Sequence, residues 1–158
     1  MSDETSVKAM DEARQHAQYG RLGEVVALLE SGAVSVDSRD SDGCTLLQWA
    51  AINNRESLVD ELVERGADVN LHGGVLDESA LQWAMRHGHT RTIVRLREAG
   101  ADAMHRGNEG GNAVHLACRY AKVAPQGHTR VLQLYFNWSF WRSNVSEKAY
   151  TLRDLEER

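Results

Sequence analysis

An internal repeat of 34 residues constrains the fold of this chain more than any other feature. The dipeptide Gly-Ala opens the segments GAVSV, GADVN and GADAM at residues 32, 66 and 100, so both intervals are 34 residues. A second marker keeps the same offset, with TLLQWA starting at residue 45, SALQWA at residue 79 and NAVHLA at residue 112. Markers in register along the chain predict a tandem array of similar structural units.

Each unit has the pattern of two short helices followed by a loop. In the second unit Asp42-Gly43 supplies a turn, and Thr45 is a suitable N-cap for the first helix. The second helix, ESLVDELVERG, has apolar residues at helical spacing and ends at Gly66, a residue that tolerates the left-handed conformation of a helix cap. The first unit, ARQHAQYGRLGEVVALLESGA, is atypical and is predicted to cap the N-terminal end.

A helix pair of this size cannot bury its apolar stripe alone, so neighbouring units must stack, and about three are needed for stability. We therefore predict an all-α solenoid of three to four helix-turn-helix repeats, the last of them irregular. The predicted organisation is a flexible N-terminus over 1–9, a repeat domain over 10–136 with units 10–43, 44–77, 78–111 and 112–136, an insertion over 121–126, and a divergent tail over 137–158 with a helix over 146–157.

Composition excludes several classes of function. The chain has 158 residues, a net charge of -5 and 42% hydrophobic residues, which is typical of a globular protein and unlike a basic nucleic-acid binder. No apolar run approaches the ~20 residues of a membrane helix, and the first ten residues lack the apolar core of a secretion signal. We expect the two cysteines, Cys44 and Cys118, to be reduced cytosolic thiols, and we expect no catalytic residues, cofactor or metal, since His87 and His89 have no third ligand at standard spacing.

The repeat period and its motif resemble the ankyrin repeat, whose signature is Thr-Pro-Leu-His-x-Ala. The proline of that signature is missing from TLLQWA, SALQWA and NAVHLA alike, and its histidine survives only at His115. Gln48 and Gln82 stand in its place in the other two copies and can form hydrogen bonds from that position. The resemblance implies an ankyrin stack that binds partner proteins in the groove lined by its first helices.

Two tryptophans at equivalent positions are the candidate binding residues of that groove. Trp49 lies four residues before Asn53, and Trp83 four residues before His87, so each pair shares one helix face. Because packed helices lie roughly 8–10 Å apart, the indoles and polar groups of successive units would form one strip suited to an extended peptide. The alternative is that both rings only pack the core, because this position is commonly leucine in ankyrin repeats.

A narrower resemblance covers residues 10–136. The segments WAAINNR, LQWAMRHGH and AQYGRLGEVVALLESGA and the Gly73-Gly74 loop are similar to the ankyrin region of DHHC-type palmitoyltransferases of the huntingtin-interacting group. In that group the region is a cytosolic module that recruits substrates by capturing short disordered segments with β-branched residues and a Gln-Pro. The key tryptophan of the group falls on Trp83 and its key asparagine on Asn53.

The resemblance does not extend to catalysis. The sequence has no Asp-His-His-Cys motif, and two cysteines cannot supply the zinc chemistry of a Cys-rich acyltransferase domain. We therefore expect a peptide-binding module that does not itself transfer palmitate. The alternatives are a general ankyrin scaffold with an unrelated partner, and a fragment or isoform of a palmitoyltransferase. The resemblance implies a cytoplasmic location, at the Golgi or vesicle membrane if the chain is part of a full-length family protein.

Overall fold

A computed structural model describes residues 3–121 of the chain. The predicted insertion over 121–126, the second helix of the fourth unit and the predicted helix over 146–157 therefore lie outside the residues whose side chains are described. The described part is mostly helical, and its helices pack in pairs, which confirms the prediction of an ankyrin-like stack. Its elements are α1 (Asp3–Tyr19), α2 (Leu22–Glu30), α3 (Leu46–Ile52), α4 (Glu56–Glu64), β1 (His72–Gly73), β2 (Glu78–Ser79), α5 (Ala80–His87), α6 (Thr90–Glu98) and α7 (Ala113–Ala121).

The helices form an inner and an outer row. Helices α1, α3, α5 and α7 lie side by side in the inner row, while α4 and α6 pack against each other behind it. The core lies between the rows and is continuous from α1 to α7, so the units share one apolar interior as the repeat argument requires. The largest fully buried apolar side chains are Leu46, Leu58, Leu62, Leu81, Met85, Ile93, Leu96 and Leu116.

Glutamines take the place of the signature histidine in two units and connect each unit to the next. The side chain of Gln48 accepts the Thr45 N–H at 2.6 Å, and the Thr45 hydroxyl accepts the Gln48 N–H at 3.3 Å, which is a capping box. The Gln48 amide then donates to the Glu78 carbonyl oxygen of the following unit at 2.6 Å. Gln82 forms the same box with Ser79 and reaches the Gly111 carbonyl oxygen at 3.2 Å. The substitution therefore keeps the hydrogen bonding of the signature position.

A small hairpin departs from the all-α prediction. Strands β1 and β2 are antiparallel, with His72 opposite Ser79 and Gly73 opposite Glu78. The hairpin lies against the preceding loop so closely that a Cβ atom at Gly73 would stand 2.2 Å from the Gly43 carbonyl oxygen. Only glycine permits this approach, because any side chain would collide with backbone that cannot move aside.

The N-terminal helix begins earlier than the predicted repeat domain. Residues 3–9, which we expected to be flexible, belong to α1 in the structure. The side chains of residues 5–8 are exposed, and burial starts at Ala9 and Met10. The contacts that tie α1 to the stack thus begin where the repeat domain was predicted to begin, whereas the helical backbone extends further because nothing in DETSVKAM interrupts a helix.

Candidate functional site: the inner-row tryptophans

Trp49 of α3 is anchored by its indole N–H. The Nε1 atom donates to Oδ2 of Asp40 at 2.6 Å, while Oδ1 of the same carboxylate accepts the backbone N–H of Cys44 at 2.8 Å. Asp40 is only 9% exposed, so its charge is compensated by these donors and by Arg14. The Arg14 guanidinium also stands over the Trp49 ring, 5.8 Å from the centroid. Trp49 is therefore half-buried and fixed from its edge and from one face.

Trp83 of α5, one unit further on, is held differently. Its ring lies between Arg86, whose guanidinium carbon is 5.6 Å from the ring centroid, and His87, whose ring is stacked at 6.2 Å and 12°. Its Nε1 atom is shielded from solvent and meets no hydrogen-bond acceptor in the part of the chain that the structure describes. Gly74 stands where Asp40 stands in the preceding unit, so the acceptor that anchors Trp49 is missing here.

A row of rings continues from Trp83 toward α3. His87 stacks on His89 at 5.5 Å and 18°, and Nδ1 of His89 lies 2.8 Å from the Ala51 carbonyl oxygen. We define Trp83, His87 and His89 as the aromatic row. It links the end of α5 to the end of α3, where Asn53 is located.

Asn53 presents an amide beside this row. Its Nδ2 donates to the Trp49 carbonyl oxygen at 2.9 Å, one helical turn back. Within residues 3–121 its Oδ1 accepts no hydrogen bond from the protein, and the side chain is partly exposed. An amide oxygen in this state can accept a backbone N–H from a bound peptide.

Arg86 is the electrostatic centre of the Trp83 unit. It forms two hydrogen bonds to the carboxylate of Glu78, one of them from Nε at 3.2 Å, and a third to Glu109 at 3.1 Å. It also donates to the hydroxyl of Tyr120 and stands 5.1 Å above that ring. Burial opposes its charge, but the hydrogen bonds to Glu78 and Glu109 outweigh burial and raise the pKa of the guanidinium. The cation over Trp83 is therefore permanent.

The structure brings together only part of the predicted strip. Trp83 and His87 are stacked as the i, i+4 relation predicted, and Asn53 is bonded to the backbone of Trp49. Trp49 and Trp83 make no ring contact with each other within residues 3–121, because each ring faces partners of its own. Neither indole is fully buried, so neither is merely a core residue.

Sequence reasoning missed Asp40, Arg86 and the role of His89 in the aromatic row. Each lies at a position that differs between units, since Asp40 corresponds to Gly74 and Arg86 to Ile52 at the 34-residue offset. A comparison of the units for differences, rather than for shared residues, could have found the first two.

No helix in the described range 3–121 is both long enough and apolar enough to span a lipid bilayer.

The fold, the capped inner helices and the repeat period define this chain as an ankyrin-repeat protein, a class whose stacks bind other proteins. The ankyrin-repeat family model matches residues 42–73, which include the first tryptophan of the inner row.

Comparison with curated proteins narrows this assignment. The repeat region is homologous to the ankyrin region of palmitoyltransferases, with 44% identity over 99 residues to palmitoyltransferase Hip14 of Drosophila melanogaster. Identity is 40% over 100 residues to palmitoyltransferase ZDHHC13 of Homo sapiens and 42% over 98 residues to palmitoyltransferase ZDHHC17 of Danio rerio. The matches cover 62–63% of this chain but only 15–16% of the length of these relatives. The resemblance identified from the sequence motifs is thereby confirmed for the repeat region.

Proposed function

We propose that the inner row of this stack binds short extended segments of partner proteins, and that it recruits these proteins for S-palmitoylation. The observation that carries the proposal is the state of Trp83, whose ring is held by face contacts to Arg86 and His87 and whose indole N–H has no acceptor within residues 3–121. The homology to palmitoyltransferases supports the class of partner.

The chemistry of the row suits a peptide better than a small polar ligand. A half-buried indole offers a flat apolar surface for an aliphatic or proline side chain, and large aromatic residues are frequent energetic centres of protein interfaces. Asn53 adds an amide oxygen that can accept a peptide N–H, and a small rotation of Trp83 would bring its N–H to a peptide carbonyl oxygen. Together they provide side-chain selection and backbone recognition within one groove.

The four predicted contact residues have different roles in this proposal. Trp83 is the central contact, His87 extends its ring surface, and Asn53 bonds the peptide backbone. Trp49 contributes the neighbouring wall of the groove, with its N–H already committed to Asp40.

The test is a fluorescence anisotropy titration of a labelled peptide that contains β-branched residues followed by Gln-Pro. We expect Trp83→Ala to lower the affinity at least about tenfold, as removal of a central aromatic contact does. Trp83→Phe retains a ring and should lose less. Arg91→Ala is the matched control, because Arg91 is 72% exposed and pairs with Glu56 at the neighbouring outer helix α4.

Two results would count against the proposal. Undiminished binding by Trp83→Ala, in a protein whose urea unfolding curve is unchanged, would remove the inner row from recognition. Equal affinity for a peptide in which Gln-Pro is replaced by Ala-Ala would favour a general ankyrin scaffold over a recruiter of palmitoylation substrates.

A further inference from the structure

Two histidines and one aspartate from successive units meet at the loop edge of the stack. His72 lies in β1, Asp77 lies between β1 and β2, and His105 lies in the loop between α6 and α7. The donor atoms of all three side chains lie within 4.8 Å of one another. The cluster is separate from the aromatic row and has no part in the peptide binding proposed above.

The two imidazole rings are stacked, with centroids 4.1 Å apart and an angle of 24° between the planes. Both present a nitrogen to the same carboxylate. Nδ1 of His72 lies 2.7 Å from Oδ1 of Asp77, and Nε2 of His105 lies 3.9 Å from Oδ2. One acidic group is therefore flanked by two nitrogen donors.

The backbone around the cluster is held firmly. Arg39 donates to the His72 carbonyl oxygen at 2.7 Å. The Asn108 N–H donates to the Leu76 carbonyl oxygen at 2.8 Å. A Cβ atom at Gly107 would stand 2.6 Å from that same carbonyl oxygen, so glycine is required for the two loops to approach. The three donors are thus carried on two loops whose separation is fixed.

We propose that His72, Asp77 and His105 form a binding site for a divalent transition metal, preferentially Zn²⁺, that links the second and third units. Two imidazoles and a carboxylate are ligands that favour zinc over magnesium or calcium, which prefer oxygen alone. In a tetrahedral zinc site with bonds of 2.0–2.1 Å, neighbouring donor atoms are about 3.3 Å apart, so a shift of about 1 Å at the His105 side chain would complete the geometry. Water would occupy the fourth position.

The side chains are accessible to an incoming ion. Their exposed fractions are 44% for His72, 38% for Asp77 and 23% for His105. Binding would displace the hydrogen bond between Nε2 of His105 and the Asp77 carbonyl oxygen, which is 2.9 Å long without metal. Because a metal joins two loops that are 33 residues apart in sequence, it would stabilise the stack against unfolding.

The experiment is isothermal titration calorimetry of the tag-free, reduced full chain with Zn²⁺, and with Mg²⁺ for comparison. We expect one saturable Zn²⁺ site, and His72→Gln, Asp77→Asn and His105→Gln each to weaken it at least about tenfold, as loss of a ligand does. His16→Gln is the matched control, since His16 also has a carboxylate neighbour, Glu12, at 3.6 Å but belongs to α1. It should retain the site.

A second measurement covers the case in which a variant does not fold. In the unmodified protein, Zn²⁺ should shift the imidazole ¹⁵N resonances of His72 and His105 before those of the other histidines, and should raise the unfolding temperature. The absence of saturable Zn²⁺ binding, equal affinity in all three ligand variants, or first shifts at other histidines would each overturn the proposal.

Discussion

The second and third units contain the same LQWA segment, yet they secure its tryptophan in opposite ways. Trp49 is anchored at its edge, where a buried carboxylate accepts the indole N–H. Trp83 is held at its faces by Arg86 and His87, and its N–H has no acceptor in the described part of the chain. The tryptophan with its polar group already committed is fixed in place, whereas the other remains available to a partner.

The difference follows from two exchanges at the 34-residue offset. The anchor Asp40 becomes Gly74, and the pair Cys44 and Ile52 becomes the ion pair of Glu78 and Arg86. A buried charge is thus present in both units, but it bonds the indole in one and a neighbouring guanidinium in the other. Identical local sequence therefore does not give identical sites in a repeat protein.

The largest predicted effect breaks the ion pair of the Trp83 unit. Arg86→Met leaves Glu78, which is 2% exposed, without its cation, and we expect the free energy of unfolding to fall by about 3–5 kcal/mol. Urea denaturation followed by circular dichroism measures the change. The double variant Arg86→Met with Glu78→Gln should recover a substantial part of the loss, because the uncompensated charge is then removed. Additive losses would show that the two residues act independently.

A smaller effect should come from the anchor of the Trp49 unit. Asp40→Asn keeps the shape of the side chain but removes its charge and one of its two acceptor oxygens, so we expect a loss of about 1–3 kcal/mol in unfolding free energy. The control is Asp42→Asn, whose carboxylate is exposed two residues further on. If both changes cost the same, the bond from Asp40 to Trp49 does not distinguish the two units.

The smallest effect concerns Cys44, at the position that holds Glu78 in the next unit. Burial, aided by the negative charges of Asp40 and Asp42, raises the pKa of this thiol from 9.0 to about 11. The folded state thus favours the neutral thiol, and this contribution is complete below pH 9 and is lost as the pH rises through about 11. By about pH 10 the loss should be about 1 kcal/mol.

Unfolding measured against pH tests this prediction, with Cys44→Ala as the comparison. The variant should lack the alkaline decline that is due to the thiol, and an equally steep decline in both proteins would assign it to other groups. Cys118, which is only partly buried, should react with a maleimide faster than Cys44 at about pH 8, because less of Cys44 is thiolate.

Much of the fold could be predicted from the repeat. The period fixed the number of units, and the residues at the unit ends indicated their caps, such as the left-handed Gly66 and the capping box of Thr45 with Gln48. The β1–β2 hairpin was not predicted, because two-residue strands have no periodicity of their own. The positions of Trp49 and Trp83 on the inner row were also readable, since helical spacing alone places them there.

By itself, the sequence determined that this chain stacks helical pairs, which helices line the inner row, and which residue types that row offers. Only the tertiary structure decided which polar groups find partners. The bond from Asp40 to Trp49, the cation over Trp83 and the meeting of His72 with His105 all depend on where neighbouring loops and side chains come to lie. The physical reason is range: helix propensity and capping act over a few residues, whereas the satisfaction of a buried hydrogen-bonding group depends on atoms that packing brings from another part of the chain.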